Sequence, residues 1–71
     1  MTDLYQIVET AFNRAVADPT IGRWKSCSIV AGTASVRMAA DGHLFMAAAL
    51  EGVAVESVRQ GLAMQTKEQA E

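Results

Sequence analysis

The feature that most constrains this chain is an Asp-Gly pair, Asp41-Gly42, set between two largely apolar runs at residues 34–40 and 43–50. Asp-Gly between alternating apolar residues is the strongest short-range signal for a two-residue β-hairpin. Such a turn fixes the pairing register, and the register decides which side chains share a face. Here it sets Ala40 opposite His43, Met38 opposite Phe45 and Val36 opposite Ala47. A second turn, with Gly32 and Thr33 as its central residues, sets Ile29 opposite Val36 and Cys27 opposite Met38. Three short strands result, at residues 24–31, 34–40 and 43–50.

The two hairpins agree on one face, made of Cys27, Ile29, Val36, Met38, Phe45 and Ala47, which is the expected core. The opposite face is polar on the first strand (Ser26, Ser28) and apolar on the third. A solvated sheet face should be mostly polar. Trp24, Val30, Leu44 and Met46, with Arg37 among them, therefore form the candidate partner-binding surface, because exposed apolar patches mark interfaces and Trp, Met and Arg are enriched there.

The flanks read as helices. Leu4, Ile7, Val8, Ala11, Phe12 and Ala15 follow helical spacing, with Thr2 or Asp3 as N-cap and Asp18-Pro19 as the stop. After Gly52, helical spacing returns through Val55, Val58 and Leu62. Gly61 either ends that helix or admits a neighbouring element closely. Residues 66–71 are polar and expected to fray. The expected fold is one small two-layer α+β domain over residues 1–71, helix, three-stranded antiparallel meander, helix. A competing reading gives a long C-terminal helix from near His43 to about Gln65 after a β-hairpin, because residues 44–50 are rich in the helix formers Ala, Leu and Met.

A chain of 71 residues buries too little surface to be more than marginally stable alone. The usual supplements are disulfides, a metal or association. Cys27 is the single cysteine, so no internal disulfide forms, and with His43 it makes no zinc-type cluster. Association is left: a homodimer or higher oligomer, or docking on a larger protein. The net charge of −2 and pI near 5.2 lack the basic stripe of a nucleic-acid binder. The alternative of a nucleic-acid-associated regulator rests on Arg23, Trp24, Lys25 and Arg37, an aromatic residue among basic ones.

Catalysis finds little support. Cys27 and His43 are the only nucleophile–base pair, and two strand spacings hold them about 10 Å apart. Asp41 and His43 offer two metal ligands where a site needs three or four. No phosphate loop is present, and Met1, Met38, Met46 and Met64 read as packing residues. No cofactor or metal is expected. No signal peptide or membrane span is visible, so a cytoplasmic location is expected. The function expected is a small non-enzymatic protein-binding or oligomerising module.

Overall fold

The computed structural model describes residues 3–70, and it is helical from end to end. Three helices follow one another: α1 (Leu4–Ala17), α2 (Ile21–Ala40) and α3 (Leu44–Ala70). The α+β meander is thus corrected: no strand occurs among the described residues. Of the competing reading, the long C-terminal helix is present and the hairpin is not.

Asp41-Gly42 reverses the chain, but between helices. The Gly42 N–H donates to the Ala39 carbonyl (3.0 Å) and the His43 N–H to the Met38 carbonyl (2.9 Å). These are the two bonds of a Schellman helix terminus, which needs a residue in the left-handed region just past the helix end. Gly42, with φ of 84°, is the only residue of positive φ among those described. Asp-Gly serves a type I′ hairpin and a Schellman stop equally well, because both ask for positive φ at the glycine. The neighbouring residues decide the matter. Ala39, Ala40 and the Ala, Leu and Met of residues 44–50 favour helix over strand. Gly32 and Gly52, expected as turn and break, both lie inside helices.

The helix starts are capped as the side chains dictate. The Asp3 carboxylate accepts from the Tyr5 N–H, and the Thr20 hydroxyl from the Arg23 N–H, each at 3.0 Å. Thr2, the other candidate cap, lies outside the described residues. Asp18-Pro19 does end α1, and Arg23 holds the corner by donating to the Asp18 carboxylate (2.7 Å) and carbonyl (3.1 Å). The tail expected to fray continues α3 as far as Ala70; Glu71 lies outside the described residues.

α2 and α3 form an antiparallel hairpin along two seams of three-and-four spacing. On α2 the seam is Trp24, Cys27, Ala31, Ala34 and Met38; on α3 it is Ala47, Leu50, Ala54, Ser57, Gly61 and Met64. The same rhythm builds coiled coils, since it keeps one stripe facing the partner. Three contacts fix the register. A β-carbon placed on Gly61 would lie 3.4 Å from that of Trp24. The Ser57 hydroxyl lies 3.1 Å from Cys27 Sγ. The Ser35 hydroxyl donates to the Ala47 carbonyl at 2.7 Å. α1 packs on one flank of this hairpin, where Val8 joins Ala31, Ala34 and Leu50, and Phe12 meets Trp24 edge-on at 5.8 Å.

The expected core is corrected with the fold. Cys27 and Ala47 are buried and Met38 is half-buried, but Ile29, Val36 and Phe45 are exposed, Phe45 at 95%. Alternation in twos had grouped residues that a helical period sends to opposite sides.

Candidate interaction face

A small core leaves a large apolar remainder outside. Among the described residues the buried hydrophobic ones are Val8, Trp24, Leu50, Cys27 and four alanines, while eleven large hydrophobic side chains stay exposed. Contiguous exposed apolar surface on a soluble chain marks a site of contact. The remainder is ordered. α3 carries a second three-and-four stripe, Leu44, Ala48, Glu51, Val55, Val58 and Leu62, next to the seam that meets α2. Leu44, Val55, Val58 and Leu62 are all about half exposed or more. Residues 53 and 58 lie on opposite sides of the α2-facing seam, since five residues turn a helix through about 140°. Val53 packs toward α1, so the stripe of Val58 lies on the flank α1 does not cover.

α2 contributes to that flank as well. Ile21, Lys25 and Ser28 line a groove of about 170 Å³ with Ser57, Val58, Gly61 and Leu62. Ile29 and Val36, on the outer side of α2, are 59% and 71% exposed. A second opening of about 290 Å³ lies between α1 and α3, lined by Tyr5, Val8, Glu9, Phe12, Ala49, Leu50 and Val53.

The structure separates the partner-binding residues expected from sequence. Trp24 is buried between Phe12 and Gly61 and offers no surface to a partner or a base. Val30 packs against the core beside α1. Arg37 is exposed but points away from the open flank of the hairpin. Leu44, 69% exposed, begins the open stripe, and Met46 is 40% exposed two residues on. Sheet geometry had placed these five on one face; no sheet exists to do so. Arg23, of the alternative basic set, is engaged with Asp18. Val55, Val58 and Leu62, which carry the helical spacing after Gly52, are exposed. The signal that finds them is the second three-and-four rhythm, displaced from the first.

Polar chemistry on the molecule is sparse. Among the described residues no group of three metal-binding side chains comes together. Cys27 is fully enclosed and 3.1 Å from the Ser57 hydroxyl, which also lies 2.7 Å from the Val53 carbonyl. A hydroxyl has one proton; with Val53 as its acceptor, the thiol S–H is left to donate to Ser57 Oγ. His43 stands exposed between α2 and α3. Among the described residues no helix is long and apolar enough to cross a membrane. Comparison with known proteins finds no family, no characterised protein and no solved structure that this chain matches.

Proposed function

We propose that this chain is a small non-enzymatic helical module whose role is to bind protein, packing the open flank of the α2–α3 hairpin against helices of its partner. The observation that supports this is the second apolar stripe of α3. A helix that is apolar over most of its circumference is ordinarily buried on both sides, and α3 is covered on one. A chain of this size also gains most from additional burial. The apolar contact belongs to the helical stripe of Leu44, Val55, Val58 and Leu62, not to a sheet face. The enclosed thiol fits a reducing, cytoplasmic setting.

Position-specific photo-cross-linking tests the reading. A photoreactive side chain at Val58 or Leu62, in cells expressing the chain, is expected to give one discrete protein adduct. The same probe at Gln6, exposed on α1, is expected to give none. An identical pattern at all three positions would count against a binding role for this flank.

A further inference from the structure

Resting on the interaction reading above, we infer that the occupant of the open α3 stripe is a second copy of this chain, packed antiparallel about Val55. Reversed, the stripe sets large side chains against small ones. With a two-fold axis at Val55, residues equally far on either side of it come level, at 1.5 Å per residue. Leu62 then meets Ala48 of the second copy, large against small, and Leu44 meets Thr66. In a parallel pair Leu62 would meet Leu62, Ala48 would meet Ala48 and leave a gap, and Glu51 would meet Glu51 within the seam. Two like charges in a drying interface are strongly unfavourable.

Charge is complementary in the same reversed arrangement. Glu51 is the acidic residue of the stripe, about 6 Å along the axis from Val55. About the same distance to the other side lies Arg59. Lys25 reaches that level from α2, because Trp24 sits beside Gly61. Rotation about Val55 carries Glu51 of each copy to the level of Arg59 and Lys25 of the other. Within one chain, among the described residues, the ion pairs are Arg23–Asp18 and Arg59–Glu56, so neither Glu51 nor Lys25 is paired. Arg59 is three-quarters exposed, on the edge of the seam. The scale is adequate too. The molecule measures 45 by 20 Å along its two longer axes, which allows a face on the order of the ~800 Å² per partner of a stable interface.

Sedimentation velocity over a concentration series, with circular dichroism as the check on folding, tests the proposal on four samples. These are the wild type, Glu51→Lys, the double variant Lys25→Glu/Arg59→Glu, and an equimolar mixture of the two variants. The wild type should dimerise. Each variant alone should dimerise at least tenfold more weakly, and the mixture should form a heterodimer at wild-type concentrations. A dimer indifferent to either reversal, or a mixture no better than its components, overturns the proposal. So does a wild type that stays monomeric throughout. That last outcome leaves the broader interaction reading intact, because that reading is judged by cross-linking at Val58 with other proteins present. Cysteine oxidation adds a reading that changes no charge. Val55→Cys should form an intermolecular disulfide and Leu62→Cys should not; equal yields would overturn the antiparallel arrangement.

Discussion

Gly61 lies directly against Trp24: a β-carbon on Gly61 would stand 3.4 Å from the β-carbon of Trp24. That is ordinary contact without overlap, so a methyl group is accommodated there. Gly61→Ala trades glycine for the best helix former, a gain of up to about 1 kcal/mol. Gly61→Leu forces the helices apart and should cost about 1–3 kcal/mol by overpacking. Gly52 meets nothing within 4 Å, so Gly52→Ala should show the propensity gain alone. Urea denaturation of the three variants gives the ranking. A stabilised Gly61→Leu would mean the seam is looser than drawn.

Gly42 carries the reversal between α2 and α3 at φ of 84°. An L-residue held there loses roughly 1–2 kcal/mol, and asparagine tolerates the region better than alanine. Gly42→Ala should therefore lower the denaturation midpoint, and Gly42→Asn should lower it less. Equal stability of all three chains would argue against the Schellman turn and revive a different connection.

Cys27 is fully enclosed between the long helices. Its thiol should stay unreactive toward a disulfide reagent in the native protein and become reactive along the same denaturant curve that circular dichroism follows. Ser57→Ala leaves Val53 its helical hydrogen bond and removes only a weak sulfur partner, so it should change stability by no more than about 1 kcal/mol. Ser57→Leu has no room and should cost about 1–3 kcal/mol. Rapid native-state labelling of Cys27 would show that the seam opens locally.

Glu56 is held below the ordinary carboxylate range, first by the hydrogen bond from Gln60 and then by Arg59. Both donors favour the charged form. Its contribution is therefore complete above the ordinary carboxylate range and is lost as pH falls through the lowered value. NMR titration should show the Glu56 midpoint moving up in Gln60→Ala and in Arg59→Ala. An unmoved midpoint in Gln60→Ala would remove Gln60 as the main cause.

Much of the ends of this molecule was legible in its sequence, and little of the middle. α1 and its stop at Asp18-Pro19 could be read because Leu4, Val8, Phe12 and Ala15 contrast with polar neighbours. The middle misled for a physical reason. Apart from Trp24 near its start, the residues that α2 buries are Cys27, Ala31, Ala34 and Ser35, too small to register as an apolar stripe. Its large residues, Ile29 and Val36, face outward, so weight by hydrophobicity points the wrong way round the helix. α3 has the opposite difficulty. Two apolar stripes side by side blur any one-sided period. Of the exposed stripe, Leu44 was expected at the surface on sheet geometry that does not occur here. Val55, Val58 and Leu62 were missed because a helix with one apolar face was assumed to have only one.

The narrow seam between α2 and α3 also bears on how such a chain could change over evolutionary time. Positions filled by alanine, serine and glycine at close approach can accept little growth, whereas exposed valines and leucines on the far flank can be exchanged for one another at little cost. Ancestry would thus be preserved in the spacing of the smallest residues, at 27, 31, 34 and at 47, 54, 57, 61. Kin of this protein would be recognised by where bulk is forbidden, more than by any large side chain held in common.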